Sequence, residues 1–170
     1  ADVLPVPSMP TPLPPAQHDL VTEFGSIYEQ YGFQRLKGLI VGLLLVQPEP
    51  LSLDDMAEML ARSKGPISTA VRDLASTGLL RKVDGPNRRR DYYAAHPDLF
   101  LNNFKHNMAI VRKNRRTAEQ FLEEMGGDEQ HAEAVRNLEQ MRAFYTLMES
   151  FYEDFAERWE AEPARLDGRS

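Results

Sequence analysis

Between Ser63 and Ala94 the chain reads SKGPISTAVRDLASTGLLRKVDGPNRRRDYYA, and this stretch constrains the fold more than any other. A turn, Ser63-Lys64-Gly65, leads into a helix that opens on Pro66 and ends at Gly78. A short apolar strand follows (Leu79 to Val83), then a turn at Asp84-Gly85-Pro86-Asn87. Three arginines, Arg88, Arg89 and Arg90, lead into an aromatic strand at Tyr92-Tyr93. Helix, strand, basic turn, strand is the layout of a helix that enters a DNA groove beside a β-wing that meets the phosphate backbone.

The elements before this stretch fit the same plan. Ser52 reads as an N-cap, with Asp55 three positions on in the capping-box role. The helix it opens, expected over Leu53–Arg62, turns Leu53, Met56, Ala57 and Leu60 inward. The next helix, expected over Pro66–Thr77, has an inner stripe of Ile67, Val71 and Leu74 and an outer face of Ser68, Thr69, Arg72 and Asp73. Proline at the start of a helix loses no intrahelical hydrogen bond. Two helices joined by a short glycine-containing turn make a helix-turn-helix. Upstream, Gln17 to Phe33 has apolar residues at helical spacing, ending near Gly32. A second apolar helix runs from Gln34 to Val46, where Gly38 and Gly42 permit close helix contact and Gln47-Pro48-Glu49-Pro50 stops it.

Downstream lie two long helices. In the first, expected from Pro97 to Met125, Phe104, Met108, Val111, Arg115, Ala118, Leu122 and Met125 step by four and three residues in turn. Gly126-Gly127 ends it. The second, Asp128 to Ala161, carries Val135, Leu138, Met141, Tyr145, Met148, Tyr152, Phe155 and Trp159. Two such stripes beside a small winged domain exceed what one chain can cover, which predicts a dimer held by Phe104, Met108, Val111, Leu122, Leu138, Tyr145, Met148 and Phe155. The alternative is a hairpin packed only on its own chain. The expected organisation is a Pro-rich flexible arm over residues 1–16 and a winged helix-turn-helix domain over 17–96. A dimerisation and effector region then spans 97–162, and a flexible tail 163–170. The fold class is mainly α with a small β-wing, without internal repeats.

Composition narrows the function. With 170 residues and no cysteine, neither a disulfide framework nor a thiolate metal site is available. No apolar run approaches the roughly 18 residues of a membrane span, and the start of the chain lacks the pattern of a signal peptide, so the expected location is the cytoplasm. The net charge of −6 argues against nucleic acid only until its distribution is considered. From Arg62 to Arg90 eight bases face two acids, a balance of +6, whereas Gly126 to Ser170 carries five arginines and eleven acids. A charge run alone is ordinarily a solvated face, but here the bases coincide with the helix and wing.

Arg72, one turn past Ser68 and Thr69, is suited to a direct base contact, most readily guanine. Ser63, Lys64 and Ser68 sit near a helix N-terminus, where free amides and the helix dipole favour phosphate. Asn87, Arg88, Arg89 and Arg90 reach phosphates or the minor groove. Strand alternation requires at least one of the three arginines to pair with protein, and between Arg81 and Lys82 it favours Lys82 as the DNA contact. Two such faces in a dimer imply a two-fold operator on double-stranded DNA, with half-sites about 34 Å apart.

Enzymatic signatures are absent. His18, His96, His106 and His131 are scattered without metal-ligand spacing, and there is neither a phosphate-binding glycine loop nor a nucleophile elbow. No cofactor and no metal are expected. Aromatic residues near acids, Tyr28, Tyr31, Tyr152 and Trp159 with Glu149, Glu153 and Asp154, would suit an organic cation, although such stripes are ordinarily core.

The runs Gly38-Leu39-Ile40-Val41-Gly42-Leu43-Leu44-Leu45, Pro48-Glu49-Pro50-Leu51-Ser52-Leu53 and Ser63-Lys64-Gly65-Pro66-Ile67-Ser68 resemble the glycine-betaine-synthesis-repressor (GbsR-like) branch of the MarR superfamily. So do Leu74 to Val83 and the wing end Arg89-Arg90-Asp91-Tyr92-Tyr93. The resemblance implies a dimeric bacterial regulator of transcription, in some members responsive to quaternary ammonium compounds, and a repressor is the expected form. A winged-helix protein-interaction scaffold that has lost DNA binding is the alternative, and the retained bases speak against it.

Overall fold

The computed structural model describes residues 13–162. The expected tail and most of the expected arm lie outside them. Two compact units divide after Leu99. The first contains helices α1 (Pro15–Gln30), α2 (Arg35–Val46), α3 (Leu53–Met59) and α4 (Lys64–Ser76), with strands β1 (Leu51–Ser52), β2 (Leu80–Val83) and β3 (Tyr92–Ala95). The second is built from α5 (Leu99–Met125), a 3-10 turn (Glu129–His131) and α6 (Ala132–Glu160).

Pro15 and Ala16, assigned to the arm from sequence, form the start of α1. Proline fits there because its missing N–H would have no intrahelical partner, and the first helical bond runs from the His18 N–H to Pro14 O at 2.9 Å. α2 is buried from Gly38 to Leu44, as its near-continuous apolar run requires. Glycine lets it lie close to α1. A Cβ on Gly38 would strike the Phe24 carbonyl, and one on Gly42 would stand 3.0 Å from Val21 Cα. The core gathers around Ile40, Val41, Leu43, Met56, Ile67, Val71 and Leu80, all essentially without solvent exposure.

The sheet is antiparallel in the order β1-β3-β2, with Leu80 opposite Ala95 and Val83 opposite Tyr92. β1 sets Leu51 opposite Tyr93 on the other edge of β3. Ser52 ends β1 and caps α3: the Asp55 N–H donates to Ser52 Oγ at 3.2 Å, and the Ser52 N–H donates to the Asp55 carboxylate at 2.8 Å. The capping box expected from sequence is therefore complete.

At the helix-turn-helix both facing helix ends differ from expectation. α3 stops at Met59 rather than Arg62, and α4 starts at Lys64 rather than Pro66. Ala61 in the left-handed region, φ 52°, makes the turn four residues earlier than Gly65 would have. Pro66 becomes the third helical residue, still inside the turn whose amides lack helical partners.

In the second unit α5 and α6 run antiparallel. Phe104 stacks on Tyr152 at 4.4 Å between ring centroids and lies 4.6 Å from Phe155. Lys105 Nζ meets the Glu160 carboxylate at 2.8 Å, and Arg115 Nε meets Glu149 at 2.6 Å.

Candidate nucleic-acid interface

The N-terminus of α4 is open. Ser63 caps it with an extended backbone and makes no side-chain cap bond. Lys64 and Gly65 precede the first intrahelical bond, from the Ile67 N–H to Ser63 O, so their amides are available to an anion. Nothing lies within 4 Å of a Cβ built on Gly65. Ile67, Ala70, Val71 and Leu74 anchor the opposite face in the core.

Along the outer face Thr69 and Arg72 are exposed, whereas Ser68 is half-buried. Thr69 Oγ1 donates to Gly65 O at 3.3 Å, which leaves the hydroxyl oxygen outward as an acceptor. Asp73 binds Lys37 of α2 at 3.1 Å, so the one acid of α4 is tied to protein. Arg72 has no carboxylate partner among the described residues.

The wing is built by Asn87. Its side-chain oxygen accepts the Arg89 N–H and its backbone oxygen accepts the Arg90 N–H, both at 3.0 Å. This places Arg88 and Arg89 at the tip of the turn. Asn87, expected to reach phosphates or the minor groove, thus also shapes the loop through its side-chain oxygen. Gly85 is required behind that loop, because a Cβ there would overlap the Tyr92 ring.

The basic residues fall into two groups. Arg72, Arg81, Arg88 and Arg89 are exposed without an ion-pair partner among the described residues. Lys64, Lys82 and Arg90 each face a carboxylate: Lys64–Asp54 at 3.0 Å, Lys82–Asp91 at 2.7 Å and Arg90–Asp54 at 3.8 Å. The hydrogen bond that the Lys82 ammonium donates to Asp91 holds it above the ordinary lysine range. Both Arg81 and Lys82 are exposed, so alternation does not separate them, and it is Arg81 that is uncommitted. Sequence reasoning weighed Arg81 but preferred Lys82, and it did not single out Asp54 or Asp91. Asp91, next to the arginine run, was a visible signal; Asp54 was not, because its partners are distant in sequence.

The expected effector residues are divided between the units. Tyr28 packs against Phe33 at 6.0 Å, and burial pushes its hydroxyl up from the ordinary tyrosine range. Tyr31 is 76% exposed. Tyr152 is engaged by Phe104, and Trp159 lies further along α6 with 37% exposure. The acids proposed to accompany them are occupied. Glu149 binds Arg112 and Arg115, Glu153 binds Arg112, and Asp154 lies 3.7 Å from Arg158. Those carboxylates offer an incoming cation no unneutralised charge.

Of the residues expected at a dimer interface, Phe104, Met108, Val111, Leu122, Leu138, Tyr145 and Met148 are buried or half-buried within the chain, and Phe155 is partly exposed. The larger exposed apolar side chains of α6 are Phe144, Leu147 and Phe151, at 59%, 73% and 64%.

Residues 98–162 match a family model described as an MmpR5-like MarR family transcriptional regulator. The chain is 28% identical over 142 residues to the HTH-type transcriptional regulator MmpR5 of Mycobacterium tuberculosis (strain ATCC 25618 / H37Rv), covering 83% of this chain and 85% of that one. It is 24% identical over 104 residues to the HTH-type transcriptional repressor OpcR of Bacillus subtilis (strain 168), covering 59% of this chain and 56% of the repressor. A crystal structure of a transcriptional regulator superposes with a TM-score of 0.75 at 28% identity, covering 87% of this chain and all of that one. These relatives are regulators of transcription, and with its helix-turn-helix and small three-stranded sheet the chain is a transcriptional regulator similar to proteins of the MarR type.

Proposed function

We propose that the chain is a dimeric, sequence-specific DNA-binding repressor that acts in the cytoplasm. The observation that carries DNA binding is the set of exposed, uncommitted guanidinium groups at Arg72 on the recognition helix and at Arg88 and Arg89 on the wing tip. Arg72 reads a base edge in the major groove, the α4 N-terminus with Ser63 and Lys64 takes a phosphate, and Arg88 and Arg89 meet the backbone or the adjacent minor groove. Repression is favoured by the likeness to OpcR, named a transcriptional repressor. The runs from Gly38 to Leu45 and from Ser63 to Ser68 favour the GbsR-like branch. An organic-cation effector has weaker support, since the carboxylates nearest its aromatic candidates are taken by arginine.

Selection from random duplexes at physiological salt tests this, with an Arg72→Ala/Arg89→Ala variant alongside. A two-fold motif enriched by the wild type and lost in the variant is expected. Absence of enrichment, with the two proteins equal, would transfer the reading to a protein-interaction scaffold.

A further inference from the structure

We infer that Asp54 is a specificity-determining residue, a built-in carboxylate that competes with DNA phosphate for Lys64 and Arg90. The inference rests on the DNA-binding reading above. Asp54 lies in the first turn of α3, one residue from the capping Asp55, and takes no part in the cap. Its two oxygens serve different elements: Oδ1 lies 3.0 Å from Lys64 Nζ at the start of α4, and Oδ2 lies 3.8 Å from Arg90 past the wing turn. A carboxylate between two cations from separate DNA-facing elements presents the charge that a backbone phosphate would present there.

Exposure shows that these contacts are exchangeable. The Asp54, Lys64 and Arg90 side chains are 49%, 59% and 51% exposed, and solvent-exposed ion pairs contribute little to folding. The effect of Asp54 is therefore on the field the interface presents. Any duplex must draw Lys64 and Arg90 away from Asp54 and bring phosphate close to a negative charge. Random DNA offers only phosphates in return. The operator adds base contacts through Arg72 that hold the protein in register, so it tolerates the competition better. Neutralising Asp54 should thus strengthen non-specific binding more than operator binding.

The test measures binding of the full chain to random duplex and to the selected operator across a salt titration. The proteins are the wild type, Asp54→Asn, Arg90→Gln and the double variant, with Arg88→Ala/Arg89→Ala as a reference for lost wing charge. Asp54→Asn is expected to bind random duplex about tenfold more tightly, with a log–log salt slope steeper by about 1 to 2, since each phosphate contact contributes roughly 0.9. The gap between operator and random duplex should narrow, and Arg90→Gln should cost more affinity in the Asp54→Asn background than in the wild type. An Asp54→Asn protein with wild-type thermal midpoint, unchanged or weaker random-duplex binding and unchanged slope would overturn the inference while leaving DNA binding intact. If the wild type binds no duplex and the wing reference behaves identically, the DNA-binding reading falls and this inference falls with it.

Discussion

Ala61 is the non-glycine residue with positive φ among those described. It closes α3 in a Schellman arrangement, with the Arg62 N–H reaching Ala57 O at 2.9 Å and the Ala61 N–H reaching Glu58 O at 3.2 Å. Gly32 and Gly78 do the same for α1 and α4, at φ 79° and 74°. Those two ends were legible because glycine announces a left-handed residue. Alanine carries no such signal, so from sequence α3 extends to Arg62 and the turn falls at Gly65. Because a Cβ in the left-handed region costs about 1–2 kcal/mol per residue, Ala61→Gly should raise stability by about 1 kcal/mol once the added freedom of the unfolded chain is deducted, as measured by denaturant melts. Gly38 gives the opposite outcome. Alanine is the better helix former by about 1 kcal/mol, yet its Cβ would meet the backbone of α1 at Phe24. Overpacking against backbone costs about 1–3 kcal/mol, so Gly38→Ala should destabilise by about 1 kcal/mol net, and a stabilised variant would disprove the close approach.

The heptad-like stripe of α5 was visible from sequence, but periodicity identifies an apolar face without naming the helix that covers it. Here α6 of the same chain covers part of it, as the Phe104 contacts with Tyr152 and Phe155 show. Arg115 interrupted that stripe without explanation in the sequence. It is accounted for by Glu149, 2.6 Å away, and by Glu119 one turn on, at 2.8 Å. Arg112 adds a second contact to Glu149 at 2.9 Å and one to Glu153 at 3.0 Å. The Arg115 hydrogen bond, offset in part by burial and reinforced by Arg112, holds the Glu149 carboxyl below the ordinary glutamate range. A carboxylate more acidic in the folded than in the unfolded chain stabilises the fold fully above its unfolded value. That contribution is lost as pH falls below about 4.5 and through the lower folded value. Thermal melts should therefore show Glu149→Gln below the wild type at neutral pH, with the two curves converging in acid. A constant difference at every pH would assign the loss to packing alone.

Across the whole molecule the question is what covers the apolar side chains that the hairpin leaves outside. Phe144, Leu147 and Phe151 fall at i, i+3 and i+7 on α6, hence on one face, and each is more than half exposed. Sequence periodicity favoured the neighbouring stripe because it is the more regular one, but regularity marks the seam within the hairpin here. The dimer proposed above would cover this outer face and would also supply the second DNA-facing helix that a palindromic site needs. Burying a large apolar side chain is worth about 1.5–3 kcal/mol. Replacing Phe144 and Leu147 with glutamate removes two such contributions from each protomer and adds like charge across the axis, so the dimer should weaken by more than about a hundredfold. Sedimentation at micromolar concentration should then find a dimer for the wild type and a monomer for Phe144→Glu/Leu147→Glu. Operator affinity should fall to that of a lone half-site, because the second half-site no longer adds an intramolecular contact, while a single half-site is bound as before. A variant that remains dimeric would move the interface to the exposed side chains of α1 and its end, Leu20, Ile27, Tyr31 and Phe33. The same double substitution placed at Leu20 and Ile27 would then separate the protomers.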